Sequence, residues 1–240
     1  MHKQEWFERW FGDEYKALYP HRDETQAHEQ VGALIQSLSA SPSWRVLDVG
    51  CGSGRHLQSF QHRGFQHAFG IDLSSVLLQD ARTANVSVAR ADMRHLPFAE
   101  GSFDLLTSFF TSFGYFATPD EDLYVLREFC RTLKPDGCIF LDLPNPPLVI
   151  QGLVAHDTQK IGNDTIQVDR FLEGDQVVKR IRCGNGGDMY EERVRLYSLS
   201  ALQPGLDRLK LSLLRIFGDE RGAEFAPQTS PRMGLLLRRN

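Results

Sequence analysis

The chain has 240 residues, 41% of them hydrophobic, with 27 lysines and arginines against 31 aspartates and glutamates, a formal charge of −4. That length and composition lead us to expect one domain, residues 1–240, with enough apolar content for a core. The charge balance excludes the basic footprint of a nucleic-acid binder and the basic run of a membrane-surface protein, which leaves small molecules or proteins as the expected partners.

The N-terminal stretch MHKQEWFERWFGDEY is charged and aromatic, with no apolar signal core. Trp6, Phe7, Trp10 and Phe11 recur with helical spacing. After Pro20, Asp23 is placed to cap a second helix whose apolar side is Ala27, Val31, Leu34, Ile35 and Leu38, and Pro42 ends it. This helical segment, 1–43, precedes a change of pattern.

From Trp44 strands and helices alternate. Trp44–Val49, Ala68–Asp72, Val86–Arg90, Asp104–Phe110 and Cys138–Leu143 read as strands. Arg55–Arg63, a helix capped by Ser74 and running to about Ala84, and Asp120–Leu133 read as helices. Such alternation predicts an α/β, Rossmann-like, doubly wound, mostly parallel sheet over 44–148. After Pro144, TIQVDRFLEGDQVVKRIRC reads as two strands joined at Glu173–Gly174–Asp175; a turn follows at Gly184–Asp188, then a third strand, MYEERVRLYS. We expect 149–198 to be a small antiparallel addition to the main sheet. Pro204 and Gly205 keep any helix there short. Leu209–Phe217 and Met233–Arg238, within 199–240, supply the last strands of seven.

No stretch reaches the roughly 18 uninterrupted apolar residues of a membrane span. Cys51, Cys130, Cys138 and Cys183 lack zinc-site spacing, so no metal is expected. A cytoplasmic location is expected from this cysteine usage. Nothing in the sequence speaks to oligomeric state.

The informative stretch is VLDVGCGSGRH, Val46 to His56, with three glycines at the end of the first strand. In an open parallel sheet, ligands sit at the carboxyl ends of strands, where glycine lets the backbone approach and a helix N-terminus favours a negative group. Asp72 ends the second strand about 20 residues on, where a carboxylate takes both hydroxyls of a ribose. A nicotinamide dinucleotide fingerprint requires glycine or alanine at position 55. Arg55 stands there, and at a helix–strand contact it would obstruct that ligand.

These residues resemble the first motif of class I S-adenosylmethionine-dependent methyltransferases, in the small-molecule, N-methyltransferase-like branch. GIDLS at 70–74 and ADMRHLPFAEGSFDLL at 91–106 resemble the next motifs, in order. The resemblance implies S-adenosylmethionine as cofactor and S-adenosylhomocysteine as product. It implies a loop of Gly50, Cys51, Gly52 and Gly54, with Asp48, around the methionine portion. Asp72 would take the ribose, Leu73 the adenine face, Asp92 the adenine amino group, and Met93 would offer a backbone amide. Cys51 itself reads as a small packed residue, not a nucleophile.

FFTSFGYF at 109–116 resembles the acceptor-facing stretch of small-molecule N-methyltransferases, amino-sugar enzymes included. This implies Phe109 along the cofactor and Tyr115 near the acceptor; at least two of Phe110, Phe113 and Phe116 read as core. DEYKALYPHRDE at 13–24 would form a lid: Tyr15 or Tyr19 over the methyl group, Arg22 on the cofactor carboxylate, His21 as base. His62, His67 and His95 read as surface. PNPPL at 144–148 lacks the aromatic and the strand position of a nucleobase motif, though Asn145 is expected in the acceptor pocket. Arg180, Arg182, Arg193 and Arg195 read as a solvated face balanced by Glu191 and Glu192. The expected activity is methyl transfer to nitrogen or oxygen of a small molecule. Alternatives are a catalytically silent cofactor-binding protein, a C-methyltransferase for a quinone-like ring, and, disfavoured by Arg55, a nicotinamide oxidoreductase.

Overall fold

A computed structural model describes residues 5–19, 24–161, 164–184 and 188–240. The expected cap Asp23, the turn at Pro20 and most of the turn expected at Gly184–Asp188 lie outside them.

Two short helices, α1 (Trp6–Trp10) and α2 (Asp13–Leu18), open the fold, followed by α3 (Glu24–Leu38). The central strand β1 (Val46–Val49) is buried along its whole length, as a parallel strand covered on both faces must be. It pairs in parallel with β2 (Ala68–Asp72) and β4 (Phe103–Ser108); β2 pairs with β3 (Ser87–Arg90), and β4 with β5 (Leu133–Pro144), also in parallel. Between them run α4 (Arg55–His62), α5 (Ser75–Thr83) and α6 (Pro119–Thr132). Ser74 caps α5 as expected, its Oγ accepting from the Leu77 N–H at 3.1 Å. Two C-terminal strands, β10 (Leu211–Phe217) and β11 (Arg232–Arg239), complete a seven-stranded sheet in the order β10-β11-β5-β4-β1-β2-β3, with β11 antiparallel to both its neighbours. Residues of α3, α4 and α5 pack one face (Val31, Leu34, Leu57, Phe60, Leu78); the other is packed by α6 and by α8 (Leu199–Arg208) through Val125, Phe129, Leu202 and Leu206. The doubly wound expectation holds.

Three expectations are corrected. The antiparallel addition is a separate four-stranded sheet, β6 (His156–Ile161), β7 (Asp164–Glu173), β8 (Gln176–Cys183) and β9 (Met189–Arg195), in that order, not an extension of the main sheet. Its first strand was hidden by the polar run HDTQK, and a six-residue helix, α7 (Pro146–Gln151), precedes it. Pro204 sits inside the ten-residue α8 rather than cutting it short.

Arg195 is no solvated charge: it is 5% exposed, and its Nε donates to the fully buried Asp122 at 3.3 Å while Nη2 donates to the Ala117 carbonyl at 2.9 Å. The Tyr197 hydroxyl donates to the same Asp122 oxygen at 2.8 Å. Burial pushes the Asp122 carboxyl up to about 6 against the pull of Tyr197 and Arg195. This staple fastens β9 to the loop after β4, where the Arg195 N–H donates to the Gly114 carbonyl at 2.8 Å and Gly114 takes a left-handed φ. We expect Tyr197→Phe to cost about 1.5–3 kcal/mol, the scale of a hydrogen bond to a charged group, in urea denaturation at pH 8. A change below about 0.5 kcal/mol would show the staple to be surface-like in its energetics.

Candidate active site

The chain runs β1, β2, β3 to one side and then crosses to β4 on the other, so the strand order reverses between β1 and β4. A cleft of about 750 Å³ opens at the carboxyl ends there. Of the residues expected at the site, Tyr15, Gly50, Gly52, Asp72, Leu73, Asp92, Met93, Phe109 and Tyr115 border it. Phe7, Phe11, Phe110, Thr111 and Ser112 border it too.

Glycine at the loop answers to backbone shape. Gly50, Gly52 and Gly54 all have positive φ, in the left-handed region. That region is open to glycine and costly for residues with a Cβ. Their surroundings differ. A Cβ on Gly50 would sit 2.7 Å from Ser112 Cβ, and one on Gly54 would sit 2.7 Å from Val86 Cγ2; one on Gly52 would meet only Leu77, at 3.8 Å. Gly52 therefore presents bare backbone, whereas Gly54 is the N-cap of α4, packed under α5 and away from the cleft.

Asp72 fixes that loop: its Oδ2 accepts the Gly52 N–H and its Oδ1 the Ser74 N–H, both at 2.8 Å. Asp92 accepts from the Arg94 backbone at 2.9 Å and from its guanidinium at 2.7 Å. Burial alone would raise the Asp92 carboxyl; the Arg94 bonds outweigh it and hold it below the usual range. Arg94 also pairs with Glu5 at 2.9 Å, which ties the N-terminal segment to this edge. Cys51 is buried and packs against Gly70. Burial first, then the charges of Asp48 and Asp72, push its thiol well up. That is the opposite of what a nucleophile needs.

Asp48 stands behind the cleft. The parallel register sets it beside Thr107, whose hydroxyl donates to Asp48 Oδ1 at 2.8 Å; Oδ2 is buried without a partner. Burial pushes the carboxyl up to about 7, opposed by the Thr107 bond and the Arg55 charge. Arg55 itself corrects an expectation: its guanidinium lies 4.3 Å from the Phe110 ring centroid, bordering the loop's outer side, rather than wedged between helix and strand.

A second cleft, of about 860 Å³, adjoins the first. Trp6, Tyr15 and Tyr19 wall it from the N-terminal segment, Phe110, Thr111 and Tyr115 from the loop after β4, and Glu192 and Val194 from β9. The Trp10 indole N–H donates to Glu192, Tyr19 donates to it at 3.3 Å, and Lys179 donates to the Tyr19 oxygen. Glu192 thus borders a cleft instead of balancing a solvated face; the alternation of β9 placed it on one side of the strand, but only the lid packed against that side shows which. Phe113 and Phe116 are core, as expected for two of the three phenylalanines, and Phe110 lines both clefts. Asn145 is 1% exposed and is not in the acceptor pocket: its amide donates to the carbonyls of Pro227 and Ser230 at 2.9 and 2.7 Å, holding the loop before β11. His21 and Arg22 lie outside the described residues.

A carboxyl raised from 3.8 to about 7 binds a proton in the folded state that the unfolded chain has lost, so stability falls as pH rises between those values. Melting temperature should therefore fall between pH 5 and 8 in the parent relative to Asp48→Asn, which cannot ionise. Parallel curves for the two proteins would remove Asp48 from that role.

Residues 46–137 match the family described as a methyltransferase domain. The dTDP-3-amino-3,4,6-trideoxy-alpha-D-glucopyranose N,N-dimethyltransferase of Streptomyces venezuelae is 30% identical over 134 residues, 54% of this chain and 55% of that one. A putative 23S rRNA (guanine-N(1)-)-methyltransferase of Bacillus subtilis (strain 168) is 30% identical over 156 residues, 60% of this chain and 51% of that one. The chain spans about half the length of the curated relatives it matches. Among solved structures, the CcbJ methyltransferase from Streptomyces caelestis shares the fold with a TM-score of 0.78 at 17% identity, over 97% of this chain and 98% of that one. The family match begins at the first residue of β1 and ends within β5, and so takes in the glycine loop and both strands that meet at the sheet's point of reversal. Over residues 46–137 the chain matches a methyltransferase domain, and its fold is shared with S-adenosylmethionine-dependent methyltransferases of known structure.

Proposed function

We propose that this chain transfers a methyl group from S-adenosylmethionine to the amine nitrogen of an amino-sugar-like small molecule. One observation carries the reading: Phe11, Tyr15, Phe110, Thr111 and Tyr115 border both clefts. Adjoining clefts that share lining residues are the arrangement an in-line displacement needs, since its reacting atoms must come about 3–3.5 Å apart and aligned. The amino-sugar class follows the likeness to the Streptomyces venezuelae enzyme. The guanine activity of the Bacillus subtilis relative is not carried over, because a formal charge of −4 opposes docking on RNA phosphates.

The residues fit the cofactor. Gly52 offers open backbone, and the orphaned Asp48 Oδ2 suits a cationic amino group behind it. In this reading Gly50, Cys51 and Gly52 hold the methionine end, Asp72 the ribose, Leu73, Asp92 and Met93 the adenine, and Phe109 lies along the ligand. Gly54 acts through loop shape. Arg22 as carboxylate clamp and His21 as base rest on the resemblance alone. When bound, S-adenosylmethionine supplies an electrophilic methyl on a sulfonium.

On the acceptor side, an ammonium must lose a proton before its lone pair can attack. Tyr19 and Glu192 border the second cleft and are hydrogen-bonded to each other, with Lys179 behind Tyr19. We assign proton removal to this pair and orientation of the acceptor to Tyr115. We read the location as cytoplasmic from the cysteine usage. Among the described residues, no helix is long and apolar enough to cross a membrane.

Incubation with S-adenosylmethionine and a dTDP-linked amino sugar should give products carrying one and then two methyls on nitrogen, seen by mass spectrometry, and the hydroxyl counterpart should stay unchanged. Methylation of the hydroxyl sugar alone would contradict the reading. In the same assay Glu192→Gln should lower kcat/KM at neutral pH by roughly tenfold to a hundredfold, with the gap closing at high pH as the free amine becomes abundant.

A further inference from the structure

The wall shared by the two clefts is built on strained backbone. β4 ends at Ser108, and Phe110 and Thr111 then both take positive φ, in the left-handed region. Left-handed backbone is costly for any residue with a Cβ and worst for a β-branched one, and two in succession persist only where the surroundings over-determine them.

Those surroundings lie one layer behind the clefts. Asp142, on β5, is 3% exposed and faces Gly234 of β11 in register. Arg232, two residues earlier on the same face of β11, reaches it diagonally, with Nε donating to Asp142 Oδ1 at 2.8 Å. The other carboxylate oxygen accepts the Phe110 N–H at 3.1 Å and the Gln30 amide, from α3, at 2.9 Å. The second arm of the Arg232 fork donates from Nη2 to Thr111 Oγ1 at 3.0 Å. Gln30 Oε1 lies 3.1 Å from His56 Nε2, and the His56 ring stacks on Phe109 with centroids 3.9 Å apart. One buried network therefore grips Phe109 by its ring, Phe110 by its amide and Thr111 by its hydroxyl. None of Gln30, Asp142 and Arg232 borders the glycine-loop cleft.

We propose that Asp142, clamped by Arg232 and Gln30, is a positioning residue that holds Phe110 and Thr111 in left-handed backbone and so sets the shape of the lining that the two clefts share. Its effect on the ligand passes through those two residues. The inference does not depend on which acceptor the enzyme takes.

The test is S-adenosylhomocysteine affinity, measured by calorimetry on the full chain well below the melting temperature of every variant. Asp142→Asn keeps the side-chain shape but loses the charge that holds the Arg232 fork; affinity should fall about tenfold or more, the scale of one strained residue released. Arg232→Lys keeps the charge but cannot reach Asp142 and Thr111 together, and should weaken binding in the same direction. Adding Thr111→Gly to either variant should recover most of the loss, because glycine holds that φ without strain. Unchanged affinity in folded Asp142→Asn would overturn the proposal. So would a loss that Thr111→Gly leaves in place, since a network that only stabilises the fold gains nothing in ligand affinity from relief at Thr111. Should Asp142→Asn fail to fold, the Arg232→Lys pair decides by the same comparison.

Discussion

The site depends on how the Asp72 carboxylate is shared. It ends β2 and accepts one N–H from the glycine loop and another from the turn that starts α5. A loop with three left-handed glycines has many conformations open to it, and fixing one costs entropy, more for glycine than for any other residue. Two short bonds to a charged acceptor offset that cost and bind the loop after β1 to the end of β2. Because β1 and β2 are adjacent and parallel, both ends open on the same side of the sheet, at the point where the strand order reverses.

The N-terminal side of the site is placed relative to that anchor. Ser74, held by Asp72, donates from its hydroxyl to the Phe11 carbonyl at 2.5 Å, so the anchor also positions the N-terminal segment. That segment packs Trp10, Tyr15 and Leu18 against Leu77 of α5 and against Ile166, Ile181 and Tyr190 of the second sheet. The second cleft exists only because three elements distant in sequence meet there: the N-terminal segment, the loop after β4 and the edge strand β9. The opposite edge of the loop is fastened by Arg195 and Asp122. A carboxyl buried with one oxygen unpartnered, as at Asp48, works against the stability of the fold.

The parallel core was legible because its signals are local. Short, mostly apolar and mostly buried runs at 46–49, 68–71 and 138–143, helices spaced between them and a glycine loop at a strand end identify a doubly wound sheet from neighbours in sequence. Helix bounds shifted by a residue or two, as capping geometry allows. Three strands of the second sheet were legible and the fourth was not, because β6 has a polar surface pattern in place of alternating hydrophobicity. Asn145 and Arg195 were misplaced for a different reason. Each is polar, and sequence gives no sign that a polar side chain is buried by partners more than 70 residues away. Asp142 and Arg232 escaped notice on the same account: 90 positions separate them, and only the antiparallel register of β5 and β11 brings them together. Glu192 needed the lid to give its side of β9 a meaning.

The central claim is that the loop after β1 and Asp72 form a site for an adenosyl sulfonium cofactor and not for a dinucleotide. Calorimetric titration of the purified chain with S-adenosylhomocysteine, S-adenosylmethionine and NAD in parallel tests it most directly. The account predicts saturable binding of the two adenosyl ligands and no heat from NAD. Binding of NAD without the other two would contradict it.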